Sequence, residues 1–327
     1  MGFARRQPMA GSVKTRNALA AAQAAAVIVI ALGLLSISPE SKAPAPAETD
    51  LSAVFERISP DSMLDTVRFL ANQKTRRYPT KGSEAAVAFI TRRLEALGVP
   101  VEHQHAPAAY EGRSVVVTNV LGDLSLSAPG KNSLIICAHY DSRGEAGTDV
   151  APGADDNASG VAVLLEAARV LSESGLRPRV TLAFFGGEED SLIGSSAFAN
   201  EALDEHLPLR GAINVDMVGY DEYGPRDIVV FTNPQSIPLA VEVIETARRT
   251  TDLIADTTIV AEGNSDHAPF WRAGQTAISI WEGYDHNPHH LTTKDTPAVL
   301  TRDFLVEIAK LVVSTAVHLG GVEKSPN

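Results

Sequence analysis

One cysteine, Cys137, stands in 327 residues, so no intrachain disulfide can form. It lies inside the apolar run SLIIC and reads as a small buried hydrophobe rather than a nucleophile. A basic excess is also missing: 28 Lys and Arg face 40 Asp and Glu, a net charge of −12. Without surplus cations a chain has little to set against phosphates, which argues against nucleic acid as a partner. No DxDxDG loop is present, which removes the commonest calcium-binding signature. No internal repeat and no low-complexity domain breaks the chain. What remains is ordinary globular composition, 44% apolar and 21% charged. The length suits one large α/β domain or two small ones.

The N-terminus carries the one long uncharged run. Arg5, Arg6, Lys14 and Arg16 precede Ala18–Ile37, twenty residues without a charge. That length just spans a bilayer, and the basic flank (residues 1–17) favours a cytoplasmic start. The segment reads as a signal peptide cleaved near APAPA or as an uncleaved anchor, with the long basic region tilting toward the anchor. Either way the rest of the chain is expected to be exported, reaching the membrane only through this segment if it stays uncleaved. Residues 38–50, rich in Pro and Ala, read as a linker.

Beyond the linker, strand-like and helix-like patterns alternate. Helices are expected over Ser59–Gln73, Ser83–Leu97, Ala158–Ser172, Leu192–Glu201, Ile237–Thr250 and Thr301–Leu319. Strands are expected over Val99–His103, Ser114–Leu121, Ser133–Ala138, Arg179–Phe185, Gly211–Val215, Ile228–Phe231 and Thr276–Trp281. Such alternation predicts an α/β fold: three layers, α/β/α, around a mostly parallel central sheet, in one domain over residues 51–321.

The loops after these strands hold the chemistry. In AHYDS, His139 and Asp141 lie two apart, so both side chains share one side of an extended backbone. His139 can ligate a metal while Asp141 orients its imidazole from behind. The plainer reading is a strand-capping histidine. PGADDNASG places Asp155 and Asp156 before a helix. Asp155 has two oxygens to share between two metals, while one of Asp156, Asn157 and Ser159 caps the helix. Glu188 and Glu189 follow the run VTLAFFG, and neighbouring glutamates on a turn point apart. One can ligate while the other takes a proton from water, the division of labour that hydrolysis needs. An isolated EED would more often be a solvated loop. Asp216 ends GAINVD, where a buried carboxylate needs a compensating partner. Asp266 and His267 open a short helix and read as its cap. His289 and His290 lie in a late loop, where surface histidines are the ordinary case.

Taken together, the order His, Asp, Glu-Glu, Asp, His in AHYDS, PGADDNASGVAVLLEAARVL, FFGGEEDSLIGSSAFA, INVDMVGY, SDHAPFW and HHLTTKDT resembles the M28 family of zinc aminopeptidases. The resemblance covers about Arg76 to Pro297. It implies the zinc-exopeptidase fold, two zinc ions and a peptide substrate with a free N-terminus. It implies His139 and Asp216 as terminal ligands, Asp155 as the bridge, Glu189 as a ligand and Glu188 as the general base. A cis peptide between Asp155 and Asp156 is also expected. The family's last ligand is a His four residues before the Asp of a terminal Asp-Thr. Here Leu291 holds that place relative to Asp295, so His290 is expected to serve, with His289 as the fallback. Trp281 or Tyr284 is expected to shape the pocket for the first side chain.

Two rivals stay open. A glutaminyl cyclase has a similar fold and works with one zinc and no water attack. A non-catalytic exported binding domain could dispense with the base, which Glu188 argues against. The identity of the metal is open among zinc, cobalt and manganese.

Overall fold

Three apolar runs dictate the centre of the molecule. SLIICAH, VTLAFF and LRGAINV are strands buried on both faces, β3 (Ser133–His139), β4 (Val180–Phe185) and β5 (Leu209–Val215). Continuous apolar strands of this kind need helices on both sides. The computed structural model describes residues 49–110, 112–125, 133–224, 226–283 and 286–322. The charge-free segment Ala18–Ile37, most of the linker and Tyr284 lie outside the described residues. Thr49–Asn327 forms one compact unit.

The remaining strands are β1 (Val101–Tyr110), β2 (Arg113–Asp123), β6 (Asp227–Thr232), β7 (Ile254–Ile259) and β8 (Ala277–Glu282). Among the described residues the sheet has eight strands in the order β1-β2-β4-β3-β5-β8-β6-β7. The central pairings β4-β3, β3-β5 and β5-β8 are parallel, as is β6-β7 at one edge. The hairpin β1-β2 and the joints β2-β4 and β6-β8 are antiparallel. The α/β prediction therefore holds, with antiparallel pairing concentrated toward the edges.

The helices are α1 (Ser52–Phe55), α2 (Pro60–Ala71), α3 (Lys81–Ala96), α4 (Gly160–Glu173), α5 (Ile193–Asp204), α6 (Ile237–Thr250), α7 (His267–Arg272) and α8 (Arg302–Gly320). Ser59 caps α2 by accepting the Ser62 N–H at 3.2 Å, and Pro60 suits its first turn. Thr80 and Ser83 form a reciprocal capping box at the start of α3.

Strand alternation splits the core in two. Leu134, Ile136 and Ala138 of β3 face one layer, with α2, α3, α4, α6 and α8. Ile135 and Cys137 face the other, with Phe198 of α5 and Phe270 of α7. Cys137 is fully buried, as its apolar run predicted. β7 went unpredicted: IADTTI is an edge strand exposed at Ile254, Asp256, Thr257 and Ile259, so it lacks the apolar run of a buried strand. Among the described residues, no helix is long and apolar enough to cross a membrane.

Candidate functional site

Because β4, β3 and β5 run side by side in parallel, their carboxyl ends open on one edge of the sheet. Ligands of open α/β sheets bind there. His139 is the last residue of β3, Asp216 follows β5, and the turn carrying Glu188 and Glu189 follows β4.

His139 Nε2 lies 3.2 Å from Asp156 Oδ1 and 3.3 Å from Asp216 Oδ1. His139 and Asp216 are buried, 1% and 3% exposed. Among the described residues these three form the one group of three ligating side chains whose donor atoms lie within 4.8 Å of each other. One imidazole nitrogen aimed at two carboxylates is a geometry that a cation completes. Burial opposes charge on His139, but Glu188 and Asp216 outweigh it and raise its pKa well above the ordinary value. The N and O donor set fits zinc, which binds His and Asp in this combination.

The adjacent residue, Asp155, is not in this group. Its Oδ1 accepts the Gly219 N–H at 2.8 Å, and its own N–H donates to Asp295 Oδ1 at 3.0 Å. Burial, then the Asp295 charge, pushes Asp155 up to about 7. The residue that reaches His139 is therefore Asp156, where Asp155 was expected. The reason is the irregular turn Ala154–Ser159, where Asp156 (φ −103°, ψ 90°) leaves helical geometry and swings its carboxylate toward His139. The cis peptide lies one residue later than expected, between Asp156 and Asn157. Asn157 is the residue that caps: its Oδ1 accepts the Gly160 N–H at 3.0 Å, and its Nδ2 donates to the Val215 carbonyl at 2.9 Å.

Asp141 stands behind His139, its Oδ1 3.7 Å from Nδ1. It also accepts the backbone N–H groups of Glu188 at 3.1 Å and Glu189 at 3.2 Å. One carboxylate thus anchors the acidic turn and lies beside the imidazole. Burial raises the Glu188 pKa well above its usual range, and a bound cation reverses such a shift. Glu189 is pushed up to about 9 by burial and by Asp156. Its Oε1 accepts the Arg143 N–H at 3.1 Å.

His290 does not join the cluster. It is exposed, with Nδ1 3.3 Å from the Asn287 carbonyl. The expected one-residue loop adjustment does not occur, and Leu291 instead takes a left-handed backbone, φ 57°. His289 stays half-buried, its N–H on Asn287 Oδ1. Trp281 packs against Phe231 and donates to Ser279 Oγ at 2.8 Å.

Several contributors escaped the sequence reading. Arg76 is fully buried, and its guanidinium donates to the carbonyls of Tyr140, Leu70, Pro152 and Gly153 at 2.5–3.2 Å. Burial pulls it down to about 10 while the Asp141 charge pulls it back. It ties the end of β3 to the loop that delivers Asp156. Gly153 takes φ 52°, where an added Cβ would lie 2.3 Å from the Asp156 carbonyl. Ser265 donates to Asp216 Oδ2 at 2.6 Å and accepts from Asn214 at 2.9 Å, which orients the Asp216 carboxylate. Asp266 makes no side-chain cap to α7; it is fully buried and pushed up to about 7, by burial first. The SDH motif was the available signal, hidden by the cap reading.

A large cavity of about 1170 Å³ adjoins Glu189 through Arg143, and Lys74, Tyr110, His290 and Leu291 line it.

Known proteins share this sequence and fold. The profile of Peptidase family M28 matches residues 119–316. A probable zinc metalloprotease of Pyrenophora teres f. teres (strain 0-1) is 31% identical over 229 residues, 62% of this chain and 48% of that protein. Aminopeptidase YwaD of Bacillus subtilis (strain 168) is 31% identical over 199 residues, 58% of this chain and 42% of that protein. The chain thus spans about half the length of these relatives. Among solved structures, LapB from Legionella pneumophila matches with a TM-score of 0.71 at 24% identity, covering 85% of this chain and 76% of LapB. The glutaminyl cyclase of Bacteroides thetaiotaomicron, bound to N-acetylhistamine, matches with a TM-score of 0.68 at 22% identity, covering 82% and 99%. At these identities the structural matches speak to the fold, the zinc-exopeptidase α/β/α architecture. The family profile covers more than half of the sequence and includes His139, Asp156, Glu188 and Asp216, so the chain belongs to peptidase family M28.

Proposed function

We propose that this chain is a zinc-dependent aminopeptidase that removes the N-terminal residue of peptides. The observation that carries the reading is the placement of Glu188. It is a half-buried carboxylate, fixed through its N–H by Asp141, in the electrostatic field of the His139, Asp156 and Asp216 cluster.

A zinc ion held by His139, Asp156 and Asp216 would supply Lewis acidity, lowering the pKa of water and polarising a carbonyl. Glu188 takes the proton from the attacking water and returns it to the departing amine. Asp141 keeps the His139 imidazole in one orientation, so its Nε2 stays aimed into the cluster. Ser265 does the same for Asp216. Arg76 holds the 152–153 loop and sets a positive charge behind a strongly acidic site. The adjoining cavity receives the peptide.

The test compares leucyl p-nitroanilide with its N-acetylated form, before and after chelation. Hydrolysis of the free-amine substrate alone, lost on chelation and restored by zinc, is expected. Equal hydrolysis of both would contradict an exopeptidase. A second reading, cyclisation of N-terminal glutamine, is favoured by one observation: among the described residues, no late histidine joins the cluster. Turnover of glutaminyl peptides with no amide hydrolysis would select it.

The exported location rests on the basic flank and the uncharged run Ala18–Ile37. N-terminal sequencing of the mature chain separates a cleaved leader from an anchor. Recovery of the full chain in the cytoplasmic fraction would contradict export.

A further inference from the structure

Family resemblance implies a second zinc, held by the shared aspartate, by Glu189 and by a late histidine. Those donors do not assemble in this fold. Leu291 holds the histidine's place relative to Asp295, and leucine has no donor atom. His290 is exposed and lines the large cavity. His289 is half-buried and turned onto Asn287 through its N–H. Neither joins the described group of His139, Asp156 and Asp216.

Glu189 already has a cation. Arg143 Nε lies 3.6 Å from Glu189 Oε2, and the Arg143 N–H donates to Oε1 at 3.1 Å. The grip closes as Arg143 Nη1 donates to the Glu189 carbonyl at 3.1 Å. The Glu189 side chain is 6% exposed, so its charge needs such a partner. With Glu189 engaged, a second ion would find carboxylate oxygens of Asp156 and Glu189 and, among the described residues, no second imidazole. Zinc sites combine three or four protein donors, with nitrogen or sulfur among them.

We propose that the centre is mononuclear: one ion at His139, Asp156 and Asp216, with the Arg143 guanidinium holding Glu189 where a second ion would otherwise sit. The proposal rests on the zinc-peptidase reading for the identity of the ion. It does not rest on it for the count. Position 143 and position 291 act as a pair, one supplying the replacement charge and the other withholding the donor.

The test is zinc titrated into the metal-free full chain, read by calorimetry and by elemental analysis after gel filtration. The wild type is compared with His139→Ala, His290→Ala and the double variant Arg143→Ser, Leu291→His. One zinc per chain is expected for the wild type and for His290→Ala. His139→Ala should weaken zinc binding by more than about 100-fold, since even an orienting partner of a ligand is worth 10–100-fold. The double variant, which frees Glu189 and returns an imidazole to the loop, should bind two. Two zinc ions in the wild type, falling to one in His290→Ala, would overturn the proposal. That pair of proteins decides the count even if the double variant does not fold. The count is read without turnover. A one-zinc chain that hydrolyses no aminoacyl amide would contradict the peptidase reading and leave the count standing.

Discussion

Asp155 and Asp156 are neighbours in the chain and send their carboxylates into different networks. Asp156 Oδ1 lies 3.2 Å from His139 Nε2, while Asp155 Oδ1 accepts the Gly219 N–H at 2.8 Å. One belongs to the cluster of His139, Asp156 and Asp216 and the other to the scaffold beside it.

The division predicts opposite outcomes for the same substitution. Asp155→Asn keeps an acceptor for Gly219 and removes a buried charge beside Asp295. Zinc content should be unchanged and the melting temperature should shift by no more than a few degrees. Asp156→Asn removes a ligand oxygen's full charge, and zinc affinity should fall by more than about 100-fold. Elemental analysis of the two purified variants checks this. Retention of zinc by Asp156→Asn with loss from Asp155→Asn would restore the assignment that the sequence suggested.

Arg76 should be far more sensitive than any exposed arginine. Arg76→Ala strips a donor from four buried carbonyls, of which Leu70 and Gly153 keep a backbone N–H while Tyr140 and Pro152 lose their guanidinium partner, a loss that costs about 3 kcal/mol or more. Arg68, paired with Asp65 at 2.8 Å on the surface, should cost under about 1 kcal/mol when removed. Urea unfolding of both variants measures the contrast. Equal losses would mean that Arg76 is not the strut described.

His267 gives the stability curve an acid limb. The ring is buried, both nitrogens lack a hydrogen-bond partner, and it packs edge-on against Trp271 at 4.6 Å. Burial, then Arg272, lowers its pKa from 6.5 to about 4. The unfolded chain therefore binds this proton more readily than the fold does. The contribution is full above pH 6.5 and is lost as pH falls toward 4, by up to about 3 kcal/mol. His267→Phe should flatten the wild-type decline between pH 6.5 and 4 in denaturant titrations. An unchanged slope would show that His267 is not the group responsible.

Sequence pattern reached most of the fold because most of it is driven by burial. The runs of β3, β4 and β5 are apolar on both faces, and that alone predicts helices above and below. The edge strand β7 was invisible because its exposed polar positions look like loop. β1 extends to Tyr110, well past the predicted His103, because the hairpin partner Arg113–Asp123 supports it. Periodicity cannot see a partner strand.

At the site, legibility followed the regularity of the backbone. His139, Asp216 and the Glu188–Glu189 turn could be placed because each ends or follows a strand. Asp155 and Asp156 could not be separated, because side-chain direction in the turn Ala154–Ser159 depends on dihedrals that no periodicity rule carries. His290 failed for a related reason: the left-handed Leu291 redirects the loop. Arg76 and Ser265 act through contacts with distant segments, and nothing local to either announces it.

In the proposed metal-dependent peptide hydrolysis, Glu188 is the base. The most direct test of that role is Glu188→Gln, assayed for zinc content and for kcat and KM on leucyl p-nitroanilide. Full zinc content, a KM near the wild-type value and a kcat reduced by about 10²- to 10⁴-fold are expected. A variant that keeps its zinc and its wild-type kcat would contradict it.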